Sequence, residues 1–214
     1  MMYPTDPETM VAEQIAGRDI IDPAVLQAMR KVARRRFVAP KYRHVAYSDQ
    51  PLPIGFGQTI SQPYVVAFMT QALQLSSEDV VLEIGSGCGY QTAILAEIVK
   101  SVYAVEVIEQ LVRRSERTLA ELGYSNIYVK RGNGREGWPQ KAPFSHILVA
   151  AASRNIPKAL LKQLSVGGKM ILPLGNSVWS QNLVMITKTR RGHQQHKILP
   201  VRFVPLVEER GRSK

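Results

Sequence analysis

From residue 80 onward the chain alternates short β-branched apolar runs with amphipathic helical stretches, and this alternation narrows the fold more than any other feature. "VVLEIG" (80–85) reads as a compact buried strand, and glycines then lead into "YQTAILAEIVK", a helix. "SVYAVEV" (101–107) is a second strand, and "EQLVRRSERTLAEL" (109–122) is a second helix. That helix places Leu111, Val112, Ser115, Leu119 and Leu122 on one face, and Gly123 ends it. "NIYVKRG" and "FSHILVAAA" continue as strands, "IPKALLKQLS" as a helix, Gly167-Gly168 as a turn and "KMILPLG" as a fifth strand. Strands apolar on both faces and joined by helices form a parallel sheet covered on both sides. The reading is therefore an α/β fold, Rossmann-like and doubly wound.

The segments on either side depart from this rhythm. Two β-rich runs flank "RRGHQQ" in "QNLVMITKTRRGHQQHKILPVRFVPL", which predicts an antiparallel hairpin at the sheet edge. Residues 1–75, with prolines at 40, 51, 53 and 63, read as an N-terminal helical and loop extension. The 214 residues thus form a single domain: extension 1–75, cofactor-binding core 76–175, edge strands 176–207 and a basic tail 208–214.

Charge and cysteine content bear on partners and compartment. The net charge of +11 comes from clusters at 30–37, 188–197 and the end of the chain. None is interleaved with the aromatic residues that a single-strand binding platform uses, so a solvated basic face is expected. Cys88 is the single cysteine, which excludes an internal disulfide framework and fits a reducing compartment. "MMYPTDPETM" has neither the basic nor the apolar region of a signal peptide, and no apolar run approaches the roughly 20 residues that span a bilayer. A cytoplasmic, monomeric protein with no membrane contact is expected.

The first strand runs into "LEIGSGCGY", with Gly85, Gly87 and Gly89 at G-x-G-x-G spacing. The dinucleotide fingerprint requires a glycine where Tyr90 stands, which disfavours a dehydrogenase. Glu83 precedes the glycines, and Glu106 closes the second strand where a ribose-binding acid belongs. An acid before the glycines suits a ligand with an ammonium group, which a pyrophosphate lacks. The pattern points to S-adenosyl-L-methionine rather than NAD. Ser61, in "GFGQTISQPYVVAFM" (55–69), has no G-x-S-x-G elbow and so is no hydrolase nucleophile; a cap on the following helix and a substrate contact both stay open.

Residues 10–207 resemble the protein-L-isoaspartate O-methyltransferases, within the class I methyltransferases that use S-adenosyl-L-methionine. The resemblance rests on "LPIGFGQTISQP", "VLEIGSGCGYQTAILA", "GWPQKAPFSHILV", "IPKALLKQL", "GGKMILPLG" and "VRFVPLV". "GQTISQP" and "VRFVPLV" carry the most weight, because the glycine loop is shared by most class I methyltransferases. The resemblance implies methyl transfer to the free α-carboxylate of L-isoaspartyl residues in damaged proteins, which starts their repair. Ser61 would be the active-site serine, with Thr59, Ile60, Arg202, Phe203 and Val204 around the substrate. Glu83, Gly85, Ser86, Gly87, Gly89, Glu106, Asn133 and Gly134 would hold the cofactor, and no metal is implied.

Three departures stand out. Gly132-Asn133-Gly134 replaces the family's Gly-Asp-Gly, Ala150-Ala151-Ala152 replaces Thr-Ala-Ala, and Cys88 stands where serine is frequent. Two further readings remain at this point. A nucleic-acid methyltransferase would fit the charge, although "AAASRN" lacks the Asn/Asp-Pro-Pro-aromatic platform for a flipped base. A diverged cofactor or isoaspartyl binder would fit Asn133 and Ala150.

Overall fold

The computed structural model describes residues 3–177 and 180–206. Val207 of the "VRFVPLV" run and the basic tail 208–214 lie outside the described residues.

Capping chemistry starts the first helices. Asp6 and Asp22 stand before Pro7 and Pro23, and their carboxylates accept first-turn N–H groups, so α1 (Pro7–Gln14) and α2 (Pro23–Lys31) begin there. Two 3-10 turns, Arg34–Arg36 and Pro40–Val45, lead into an antiparallel hairpin of β1 (Leu52–Gly55) and β2 (Gln58–Ile60). The expectation of helix and loop alone over 1–75 misses this hairpin. Its strands are too short to show a period of two, and its tip, Gly55-Phe56-Gly57, takes positive φ at all three residues (96°, 54° and 72°). α3 (Pro63–Leu73) follows at once.

The core runs β3 (Val80–Ile84), α4 (Tyr90–Ala96), β4 (Ser101–Glu106), α5 (Glu109–Glu121), β5 (Ile127–Arg131), β6 (Phe144–Val149), α6 (Lys158–Gln163) and β7 (Leu164–Leu174). The predicted hairpin is β8 (Gln181–Thr189) and β9 (Gly192–Val201). The seven-stranded sheet has the order β5-β4-β3-β6-β7-β8-β9 and is parallel as far as β7. The chain leaves β3 toward β4 and β5, then returns to the opposite side for β6. That reversal opens a crevice at the carboxyl ends of β3 and β6, where ligands of such sheets bind.

Two local expectations change. Gly167-Gly168 is not a turn but lies inside β7, where the pairing with β6 slips between Phe144 and His146. A Cβ on Gly168 would lie 2.4 Å from the Ser145 carbonyl oxygen, so this glycine serves close strand approach. Leu122 is 37% exposed, because α5 ends one residue earlier and Leu122 caps it.

α3 and α4 bury Val81, Leu148, Ile171 and Met185 on one face of the sheet, and α6 packs with Leu82, Ile147 and Met170 on the other. The N-terminal layer packs Met29 and Phe37 on Tyr90 and Leu111 of α4 and α5. Two arginines fasten this layer. Buried Arg34 donates to the carbonyls of Ala46 (2.8 Å) and Gln50 (3.1 Å), and Arg114 donates from α5 to those of Ile54 (3.0 Å) and Phe37 (3.2 Å). The Arg114 bonds fix the β1–β2 hairpin above the carboxyl end of the sheet.

Candidate active site

Three backbone bonds bring the loops after neighbouring strands to one level. Gly85 N–H donates to Val105 O (2.8 Å), Ala150 N–H to Ile84 O (2.8 Å) and Gly132 N–H to Glu106 O (2.9 Å). The glycine loop takes φ of 83°, 55° and 89° at Gly85, Gly87 and Gly89, a path that L side chains resist. It presses under the hairpin, and a Cβ on Gly87 would lie 3.2 Å from Ile54 Cδ1. The Glu106 carboxylate accepts the N–H groups of Gly87 (2.9 Å), Val107 (2.9 Å) and Ile108 (3.0 Å). A cavity results, walled by Gly85, Gly87, Glu106, Ile108, Gly134 and Leu206.

Beneath the loop lies an unusual polar group. Glu83 is fully buried, and neither of its oxygens has a hydrogen-bond partner among the described residues. The Ser86 hydroxyl and the buried Thr92 hydroxyl are also without hydrogen-bond partners among the described residues. Burial pushes the Glu83 carboxyl up to about 7; facing Thr92 lowers it, and the nearby Glu106 charge raises it. Buried polar groups are normally bonded, so such orphans call for a missing partner. The donor set fits a cofactor carrying an ammonium group near Glu83 and a diol near Glu106, as S-adenosyl-L-methionine does.

The other expected cofactor residues divide. Gly134 lines the cavity, and a Cβ there would lie 2.5 Å from Ile84 Cγ2. Gly89 lines no part of it; it caps α4, and a Cβ there would lie 3.2 Å from Ser115 Cβ and 3.3 Å from Leu119 Cδ1. Asn133 spends its side chain on its own loop, accepting from Arg135 N–H (3.0 Å) and donating to Glu136 (3.2 Å). One lone pair of its carbonyl is left for a ligand.

A cleft of about 620 Å³ adjoins this cavity, with Thr59, Ser61, Arg202, Phe203 and Val204 on its walls. Ile60 does not face it. The alternation of β2 turns Ile60 inward, 3% exposed, to a narrow channel beside Gly85, Ser86 and Cys88. Thr59 and Ala150 line the cavity, the cleft and the channel alike. They mark the junction where a group in the cleft can reach a cofactor in the cavity.

Ser61 is not the helix cap. Gln62 occupies that position without a side-chain bond to the helix's own N–H groups, and the first-turn N–H of Tyr64 is taken by Asp49 Oδ1 (2.9 Å). Asp49 Oδ2 also accepts from Gln62 Nε2 (2.8 Å). Among the described residues none bonds to the Ser61 hydroxyl, which is half-buried and faces the cleft. The opposite wall is a C-terminal strap, 203–206. Val204 O accepts from Ala152 N–H (2.8 Å) and Leu206 N–H donates to Ala152 O (2.8 Å). The Gln181 amide clasps Phe203, accepting its N–H (2.7 Å) and donating to its carbonyl (3.1 Å).

Gln181, Arg18 and Tyr64 line the cleft but escape the sequence reading. Arg18 lies in the extension, 31 residues before its partner Asp49, and no local pattern marks it. Among the described residues no group of three or more His, Cys, Asp or Glu side chains could hold a metal ion. None of the described helices is long and apolar enough to cross a membrane.

With this geometry in hand, comparison with known proteins gives a consistent result. Residues 5–211 match the family model for protein-L-isoaspartate(D-aspartate) O-methyltransferase. A protein-L-isoaspartate O-methyltransferase of Gloeobacter violaceus is 50% identical over 94% of this chain and 98% of its own. Protein-L-isoaspartate O-methyltransferase 2 of an Anaeromyxobacter species is 52% identical over 94% of this chain and 83% of its own. A Plasmodium falciparum chain assigned to the same enzyme, crystallised with S-adenosyl-L-homocysteine, superposes with a TM-score of 0.83 at 26% identity. That superposition covers 94% of this chain and 98% of the other. The chain belongs to the protein-L-isoaspartate(D-aspartate) O-methyltransferase family.

Proposed function

We propose that this protein transfers a methyl group from S-adenosyl-L-methionine to the free α-carboxylate of L-isoaspartyl residues in damaged proteins, initiating their repair. The observation that carries this reading is the junction at Thr59 and Ala150, where a peptide-sized cleft opens onto the glycine-loop cavity. The bound cofactor supplies a methyl group on a sulfonium, an electrophile that a carboxylate oxygen can attack.

The residues provide orientation rather than proton transfer. A carboxylate with a pKa near 4 is already ionised at neutral pH, so no general base is required. Among the described residues no histidine lines the cavity, the cleft or the channel; His146 lies 3.6 Å from Asp79 at the amino end of β3. Ser61 offers an unengaged hydroxyl to the substrate carboxylate, an interaction of about 1.5–3 kcal/mol. Thr59, Phe203 and Val204 shape the cleft around it, while Glu106 and Glu83 hold the ribose and ammonium ends of the cofactor. Gly85, Ser86, Gly87 and Gly134 give close backbone approach, and Asn133 offers its spare lone pair to the adenine. Enclosure and alignment of this kind contribute about 7–11 kcal/mol to such reactions.

The protein is read as acting alone, as a monomer in the cytoplasm, and the lone buried Cys88 agrees with a reducing compartment. A nucleic-acid substrate is disfavoured by the fate of the basic run at 30–37. Arg30 pairs with Glu8, Lys31 with Glu97 and Arg36 with Glu121, and Arg34 is buried. The test is methyl-labelled S-adenosyl-L-methionine with paired peptides that differ only in Asp or isoAsp. Base-labile label on the isoAsp peptide alone is expected. Base-stable label on RNA would replace this reading with the nucleic-acid one, and no label anywhere would leave a diverged binder.

A further inference from the structure

Gln181 is a polar side chain in a buried place, 5% exposed at the first position of β8. Its backbone has little freedom. It pairs with Val201 of β9, and Gly175, just after β7, packs so close that a Cβ there would lie 2.8 Å from Gln181 Cα. From this fixed base the side chain reaches past the end of β9. Phe203 N–H donates to Gln181 Oε1 at 2.7 Å, and Gln181 Nε2 donates to the Phe203 carbonyl at 3.1 Å. The amide thereby serves both backbone groups of Phe203, as a residue of a neighbouring antiparallel strand would. An amide is costly to bury unless it is bonded, and Gln181 directs both its acceptor and its donor to Phe203.

The residue held in this way stands between two pockets. Arg202, Phe203 and Val204 line the cleft, whereas Val204, Pro205 and Leu206 line the cofactor cavity. Gln181 itself lines the cleft and no part of the cavity. Further along the strap the backbone is tied to Ala152, through Val204 O and Leu206 N–H. Releasing the Phe203 peptide would therefore loosen Val204 where it faces both pockets. We infer that Gln181 is a positioning residue for cofactor and substrate together: by fixing the Phe203 peptide it sets the strap against both. This inference rests on the function proposed above and adds a residue to its machinery.

The two pockets separate this role from simpler ones. A residue that acts only where it touches would alter peptide binding alone. One that acts through the strap must also weaken cofactor binding, at a cavity it does not line. The experiment compares the full chain with Gln181→Met, which keeps the length of the side chain and loses the amide. Calorimetric titration gives the Kd of S-adenosyl-L-homocysteine, and methylation of an isoAsp peptide gives KM and kcat. Both Kd and KM are expected to rise by about three- to tenfold, the worth of about one hydrogen bond. A structural role alone would lower the folded fraction, and hence kcat, and leave both constants in place. That is the behaviour expected of Ile186→Val, a buried position further along β8.

A second measurement needs no variant. Hydrogen exchange at the Phe203 amide of the unmodified protein should be slow, and slower still with S-adenosyl-L-homocysteine bound. Exchange at the rate of an unbonded amide overturns the inference, even should Gln181→Met fail to fold. An unchanged Kd in folded Gln181→Met overturns it too, whatever happens to KM. Absence of methylation on every isoAsp peptide would overturn the proposed function instead. The binding and exchange measurements require no turnover, so they report on the clasp separately.

Discussion

The fully buried, unpartnered Glu83 yields a prediction that can be worked through to a number. Its carboxyl titrates near 7 in the folded protein, against 4.5 for the free group. The native state therefore keeps a proton that the unfolded chain has already given up. Stability from this group is whole below about 4.5, falls as pH rises toward 7, and stays lost above it. At about 1.4 kcal/mol per pH unit the full loss is about 3 kcal/mol, of which about 2–3 kcal/mol accrues between pH 5 and pH 8. Glu83→Gln cannot ionise, so the variant escapes this loss, although its buried amide carries a pH-independent cost. Thermal unfolding of both ligand-free proteins should therefore show the melting-temperature gap, variant minus parent, growing by about 5–10 °C from pH 5 to pH 8. Adding S-adenosyl-L-homocysteine, which brings an ammonium group to the carboxylate, should stabilise the parent much more than the variant. A gap that does not move with pH, or equal stabilisation of the two by the ligand, would refute the reasoning about Glu83.

Three further expectations follow from contacts described above. Ser61→Ala should cut kcat/KM on an isoAsp peptide by about 10- to 100-fold. Because Asp49 and not Ser61 serves the start of α3, its unfolding free energy should move by less than about 0.5 kcal/mol. Asp49→Ala removes that first-turn acceptor and should cost about 1–2 kcal/mol of stability, read by chemical denaturation. Gly134→Ala places a Cβ about 2.5 Å from Ile84 Cγ2; calorimetric titration with S-adenosyl-L-homocysteine should show weaker binding, while circular dichroism stays that of a folded chain.

What was legible from sequence, and what was not, follows the range of the interactions involved. β3, β4, β6 and α5 announce themselves because their apolar periodicity lies within a few residues, and the glycine loop because its conformation requires glycine locally. The β1–β2 hairpin leaves no such trace, since prolines and short strands hide its period. Gly167-Gly168 carries the composition of a turn, yet packing against Ser145 uses it inside a strand. The motif residues Thr59, Ser61 and 202–204 meet at one cleft, whereas Ile60 faces the inner channel, because strand phase there is set by tertiary packing. Arg18 and Gln181 were invisible for a related reason. Each acts through a partner 22 or more residues away, and only the folded chain brings such pairs together.

The strap at 203–206 also separates what holds the fold from what completes the site. Every strand of the sheet precedes it in the chain, yet the cofactor cavity and the peptide cleft both lack a wall until Phe203 meets Gln181 and Leu206 meets Ala152. The pairing that holds the sheet together needs none of these strap contacts, whereas both walls of the site do. A chain cut after Val201 would therefore keep its scaffold and lose its grip, so the integrity of the fold and the completeness of the site rest on different stretches of chain.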